Sequence, residues 1–189
     1  FGGTSVIADQ AFNDLLREAR KDDDVKAVVL RIDSPGGSGL ASDMIWREVR
    51  RLQEEGKPVV ISMSNLAASG GYFIAAPADW IVAHPNTLTG SIGVFGGKLT
   101  FGGTYDKAGL SEHAWQRGEL ADMFSTTSTF SDAGRLAFRT FLEDFYEYFL
   151  SKVSEGRHMD RDGAHAIAQG RVWTGEQALA RGLVDDLGG

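Results

Sequence analysis

Short runs of aliphatic and β-branched residues alternate along this chain with stretches of helical periodicity, and that alternation is its strongest constraint on fold. Val25 to Ile32 is one such run, Pro58 to Met63 the second and Asp79 to His84 the third. Between the first two, Ser42 to Glu54 sets Ile45, Val49 and Leu52 on one helical face, and Gly56 is placed to end the helix. Ile7 to Lys21 carries Phe12, Leu15, Leu16 and Ala19 at the same spacing before Asp22-Asp23-Asp24 breaks it. Gly70 to Ala76 opens another helix. Strand, helix, strand, helix, strand at this spacing predicts right-handed crossovers around a mostly parallel sheet. The class is α/β.

The later half is less regular. Thr89 to Gly97 is too rich in glycine for a plain helix and predicts close backbone approach to something. Thr104 to Ala108 is a short helix ended by Gly109, and Trp115 to Ser131 is the most loop-like stretch. Asp132 to Val153 is a long helix whose apolar load, including Phe138, Phe141, Phe145, Tyr148 and Phe149, wraps more than one face. It reads either as buried on two sides of its own domain or as an interface. Asp160 to Ala168 is a further helix, ended by Gly170. In the last, Thr174 is the N-cap and Gln177 takes the capping-box position.

With 189 residues, 42% hydrophobic and 24% charged, the chain has the size and composition of one folded domain. A formal net charge of −7 weighs against a nucleic-acid backbone or an anionic membrane surface as partner. The absence of cysteine excludes disulfides and thiolate chemistry. The four histidines, His84, His113, His158 and His165, lack metal-site spacing, and no phosphate-binding glycine motif is present. Neither a metal nor a cofactor is expected. Phe1-Gly2-Gly3-Thr4 and Gly188-Gly189 do not read as natural ends, so residues 1–189 are expected to be a single domain excised from a longer protein.

The candidate chemistry lies in Asn65-Leu66-Ala67-Ala68-Ser69-Gly70-Gly71-Tyr72. Ser69 follows a strand and precedes a helix, where outward-facing amides stabilise developing negative charge. Alone, a serine among alanines and glycines is more often a tight helix contact or cap. The small neighbours favour a nucleophile, because they leave room for a substrate main chain. Upstream, Leu30-Arg31-Ile32-Asp33-Ser34-Pro35-Gly36-Gly37 is a second strand ending in a turn that exposes amides. It reads as an ordinary loop or as the other half of an oxyanion site. A serine hydroxyl needs a partner to take its proton, and the base is not evident. His84 reads as a cap or packing residue, His113 as a loop residue, and His158 and His165 as surface. Lys26, Lys57, Lys98, Lys107 and Lys152 each read first as solvated, with Lys98 the best candidate within the chain.

Four blocks in order carry a resemblance over nearly the whole length: Val28 to Gly37, Ala67 to Tyr72, Leu88 to Val94, and Gly170 to Gly175 with Gly182 to Asp185. They resemble the signal peptide peptidase A family of serine peptidases, also called protease IV. The resemblance implies a ClpP/crotonase-like fold, with repeated strand-strand-helix turns around a mostly parallel sheet. It implies a Ser–Lys dyad with Ser69 as nucleophile, Ser91 holding the lysine amine, and Gly36, Gly37 and Gly70 around the oxyanion. It also implies remnant signal peptides or other apolar peptides as substrates, a ring-like homo-oligomer and a membrane-anchored parent. The expected location is the extracytoplasmic side of a bacterial inner membrane.

In short members of that family the lysine stands about 50 residues after the serine, in a loop resembling SGxxKD. This chain has Arg117-Gly118-Glu119-Leu120-Ala121-Asp122 there, with Ala121 at the lysine position. In long two-domain members the N-terminal half supplies the lysine and the C-terminal half the serine. This chain resembles such a C-terminal half, and is then expected to be nearly inactive alone. Two other expectations compete: a crotonase-like acyl-CoA enzyme using the same amide-bearing turns, and a catalytically silent assembly domain.

Overall fold

The computed structural model describes residues 9–188; Ile7 and Ala8 of the predicted first helix lie outside them. In chain order the elements are α1 (Asp9–Lys21), β1 (Val28–Ser34), α2 (Gly39–Glu54), β2 (Val59–Ala68), α3 (Gly70–Ala75), β3 (Trp80–Ala83) and β4 (Leu88–Gly90). They continue with α4 (Gly102–Lys107), α5 (Asp132–Arg157), α6 (Arg161–Ile167), β5 (Val172–Thr174), α7 (Gly175–Leu179) and β6 (Asp186–Leu187). The chain divides into two compact units: residues up to Gly93 together with those from Tyr148 onward, and Val94–Glu147.

The first unit is built on β2. One edge of that strand pairs in parallel with β1, from Val28↔Val59 to Ile32↔Met63 and again at Ser34↔Ala67. Its other edge takes β3 first, at Val60↔Trp80 to Ser62↔Val82, and then β4, at Leu66↔Leu88 to Ala68↔Gly90. β6 extends the sheet beyond β3 in parallel, and β5 closes it beyond β4 in an antiparallel pair. β2 runs five residues past the apolar run that predicts it. Ser64, Asn65 and the two alanines are poor strand formers, but partners on both edges outweigh that preference.

The buried face follows the helical spacing read from the sequence. Ile45, Val49 and Leu52 of α2 are buried, as are Leu30, Ile32, Ile61 and Met63 of the sheet. Each such side chain contributes about 1.5–3 kcal/mol by leaving water. Phe73 of α3 packs on Phe149 of α5, with ring centroids 4.9 Å apart, and Tyr148 donates a hydrogen bond to Asp43. The last turns of α5 are therefore core of the first unit. That packing extends the helix to Arg157, four residues beyond its predicted end.

In the second unit Phe138 of α5 stacks on Phe130 at 5.2 Å and meets Phe124 edge-on at 5.9 Å. Gly96 lies close enough to this cluster that a Cβ there would stand 2.8 Å from Phe138 Cζ. The glycine-rich segment thus packs tightly against α5, which answers part of the close approach expected of it.

Candidate active site

β2 ends at Ala68 and α3 begins at Gly70, which leaves Ser69 alone at the junction with φ 52° and ψ −118°. A non-glycine residue in such a conformation costs about 1–3 kcal/mol, and the cost must be offset by what surrounds it. Two hydrogen bonds hold it: the Ser69 amide donates to the Gly90 carbonyl at 2.9 Å, and the Ser69 carbonyl accepts from the Phe73 amide at 2.8 Å. Among the described residues the Ser69 hydroxyl has no hydrogen-bond partner. The hydroxyl is therefore held at a fixed place without being consumed by the fold.

The Ser34–Gly37 turn comes directly against this junction. Gly36 has φ 110°, and a Cβ on it would lie 2.7 Å from Ser69 Cβ and 2.9 Å from the Gly70 nitrogen. A Cβ on Gly70 would lie 3.2 Å from the Gly37 nitrogen and 2.5 Å from Ser42 Oγ. Only glycines permit this backbone-to-backbone approach. The Gly36 amide donates to Ser34 Oγ at 3.2 Å, whereas among the described residues the Gly37 and Gly70 amides donate no hydrogen bond. Two free amides beside an unpartnered hydroxyl are what a tetrahedral oxyanion requires.

Ser91 stands on the neighbouring strand end. Ala68 and Gly90 are register partners, so Ser69 and Ser91 each follow the last paired position of adjacent parallel strands, which are spaced about 4.8 Å apart. Ser91 also has positive φ, 49°, and its amide donates to the Arg171 carbonyl at 2.7 Å. Ser69, Ser91, Gly36, Gly37 and Gly70 are thus gathered at the C-terminal ends of the parallel strands, where open α/β sheets bind ligands.

Among the described residues of the first unit, no histidine or lysine read as a candidate base stands free beside them. Lys57 corrects its reading as a solvated lysine: Nζ donates to the carbonyls of Ala19, Arg20 and Asp22 at 2.9, 2.8 and 2.6 Å, capping the end of α1. Lys152 is likewise committed, with Nζ 3.8 Å from the centre of the Trp46 ring. Lys26 donates to the Asp23 carbonyl. His84 Nδ1 accepts from the Asn86 amide at 3.3 Å and serves its turn, and His165 Nε2 contacts Gln169 Nε2 at 2.9 Å. In the second unit Lys98 is not solvated either. Its Nζ is buried, has no hydrogen-bond partner among the described residues, and lies 4.7 Å from the Phe130 ring centre. Ala121, at the position where a lysine is expected, is an exposed turn residue. No group of three or more His, Asp or Glu among the described residues is placed to hold a metal.

Three contributors escape the sequence reading. Ser34 occupies the Gly36 amide, and buried Ser42 donates to the Ser38 carbonyl at 3.0 Å while filling the space beside Gly70. The third is Trp173, whose ring backs Gly90. The only trace in the sequence is serine at 34, 38 and 42, flanking the glycine turn.

The sequence profile described as Peptidase family S49 matches residues 51–189. "Protease 4" of Haemophilus influenzae is 44% identical over 177 residues, which is 92% of this chain and 28% of that protein. "Protease 4" of Salmonella typhi is 45% identical over 173 residues, again 92% and 28%. "Serine protease SPPA, chloroplastic" of Arabidopsis thaliana is 42% identical over 188 residues, 99% of this chain and 28% of its own length. The chain belongs to Peptidase family S49, and its curled, mostly parallel sheet is the ClpP/crotonase-like fold. It spans little more than a quarter of these relatives.

Proposed function

We propose that this chain is the serine-bearing domain of a Ser–Lys peptidase, with Ser69 as nucleophile and the lysine contributed by an N-terminal half outside residues 1–189. The observation that carries the reading is the Ser69 junction itself: a strained backbone, a hydroxyl without a partner, and the unoccupied amides of Gly37 and Gly70 beside it. The neutral lysine amine takes the Ser69 proton as Oγ attacks a peptide carbonyl. The oxyanion accepts hydrogen bonds from Gly37 and Gly70, the ammonium protonates the leaving amine, and water releases the acyl group. Gly36 contributes closeness rather than a donor, since Ser34 holds its amide. Ser91 Oγ orients the lysine amine from the adjacent strand end.

The substrates are remnant signal peptides or other apolar segments, and the whole protein is a homo-oligomer. It is anchored in a bacterial inner membrane, with this domain on the extracytoplasmic side. Among the described residues no helix is long and apolar enough to cross a membrane. The anchor, like the lysine, is assigned to the part of the relatives' length that this chain does not span.

The test is labelling of the full-length protein with a fluorophosphonate, followed by peptide mapping. The expected adduct is on Ser69, absent in Ser69→Ala, with peptide hydrolysis lost alongside it. Residues 1–189 alone label at a small fraction of that rate. Labelling of the isolated chain at the parental rate, abolished by Lys98→Ala, overturns the external base. Thioester turnover without an adduct points to the acyl-CoA reading, and assembly without labelling points to a silent domain.

A further inference from the structure

We propose that Trp173 is the positioning residue of this site, its indole ring fixing the one peptide unit on which both Ser69 and Ser91 depend. The inference rests on the reading of Ser69 as nucleophile and goes beyond it. The Gly90 carbonyl accepts the Ser69 amide hydrogen bond at 2.9 Å, and the Gly90–Ser91 peptide leads directly into Ser91. Gly90 and Ser91 are consecutive positive-φ residues, at 78° and 49°, and Ser69 opposite them has φ 52°. Two strained residues, Ser69 and Ser91, therefore share one linkage that turns on a positive-φ glycine, and such backbone persists only where its surroundings determine it.

Two groups surround this linkage: the Arg171 carbonyl, which accepts the Ser91 amide at 2.7 Å, and one side chain. A Cβ on Gly90 would lie 2.9 Å from Trp173 Cδ1, so the indole fills the space beside Gly90 that a side chain would take. Trp173 is the cross-strand partner of Thr89 in the antiparallel β4–β5 pair. Its ring is fixed in turn. Nε1 donates to the Ile167 carbonyl at 2.9 Å, and the Arg181 guanidinium carbon lies 3.7 Å from the ring centre. Arg181 is itself tied to the Gln177 carbonyl at 2.8 Å. The indole is thus a rigid wall behind the Gly90–Ser91 peptide.

A flexible side chain at position 173 releases that peptide. The Gly90 carbonyl then turns from the Ser69 amide, Ser69 relaxes from φ 52°, and Ser91 Oγ moves with its backbone. A displacement of about 1 Å at reacting groups costs on the order of 100-fold in rate. Peptide binding is not expected to depend on this wall, so the loss falls on kcat rather than KM.

The experiment compares Trp173→Met, Trp173→Phe and Val184→Ala in the full-length protein, measuring kcat, KM and Tm on one peptide. Trp173→Met is expected to lower kcat by about 30-fold or more with KM within about twofold, and Trp173→Phe, which keeps a flat ring, to recover most of the loss. Val184→Ala removes buried methyl groups elsewhere and is expected to lower Tm with kcat intact. In a Ser91→Ala background the further effect of Trp173→Met shrinks, because both act through one linkage. If Trp173→Met does not fold, Arg181→Met reads the same split between kcat and KM at smaller amplitude. Unchanged kcat in a folded Trp173→Met protein overturns the proposal, as does a kcat loss that Val184→Ala reproduces at equal Tm. If Ser69→Ala keeps full activity, the nucleophile reading itself falls. Loss in Ser69→Ala beside an unaffected Trp173→Met removes this inference alone.

Discussion

Ser69 occupies a conformation that almost any other arrangement of its neighbours would relax. Glycine adopts it freely, so Ser69→Gly is expected to abolish peptidase activity while raising the unfolding free energy by about 1 kcal/mol, the released strain less the added chain entropy. Urea unfolding of wild type and variant measures this directly. Gly36→Ala has the opposite sign. Its methyl group would stand 2.7 Å from Ser69 Cβ at φ 110°, so a stability loss of roughly 2 kcal/mol or more is expected together with loss of activity. The sequence exposes both residues, because small side chains crowd around them. It does not expose the division of labour within the turn. Gly36 reads as an amide donor like Gly37, and only the position of Ser34 Oγ shows its N–H to be taken. The hydroxyl of Ser42 is equally invisible, since its contact with Gly70 joins two distant segments.

At the scale of elements, local signals served well where the stabilising partner is local. Thr174 caps α7 and Gln177 completes the box, with both reciprocal hydrogen bonds present. Thr174→Ala is expected to cost about 1 kcal/mol in chemical denaturation. α2 starts at Gly39 with Ser38 as N-cap, a turn earlier than its apolar periodicity begins, because a capping hydroxyl rather than a hydrophobic residue sets the boundary. The tail of β2 was beyond reach for a different reason. Its pairing is decided by β4 and by Ser34, neither near it in sequence. Lys57 is a similar case, since its three carbonyl partners sit more than thirty residues away. Lys57→Met keeps the stem and removes the ammonium, and is expected to cost about 2 kcal/mol by thermal or urea unfolding. A change within about 0.5 kcal/mol would return Lys57 to the surface role that its sequence context suggests.

Across the whole molecule, the buried phenol of Tyr72 sets how stability responds to alkali. Its Oη donates to the Leu183 carbonyl at 2.9 Å. Burial, more than the opposing pulls of Arg157 and Asp185, holds its ionisation well above the ordinary phenol range. Burial and then the hydrogen bond to Asp43 raise Tyr148 as well. The native state therefore keeps protons that the unfolded chain releases above about pH 10. Stability is fully present below that pH and falls as pH rises beyond it. Tyr72→Phe is expected to flatten the decline, which urea unfolding at increasing alkaline pH measures. Association is expected to respond to the second unit, where Trp115 and Phe141 are 99% and 59% exposed. Light scattering of the full-length protein should show a lower mass for Trp115→Ser combined with Phe141→Ser, and an unchanged mass removes these rings from the interface.

β2 has neighbours on both its edges, β1 on one and β3 followed by β4 on the other. Its amides cannot open singly, because freeing them means parting three strands that join different regions of the chain. Deuterium should therefore enter Val59–Met63 and Leu66–Ala68 last, by global unfolding, while α4 and the segment around Trp115 exchange through small local openings. Ser69 adjoins this slowest-exchanging strand. A residue whose backbone is bent out of its preferred shape is thus anchored to the part of the molecule that yields last.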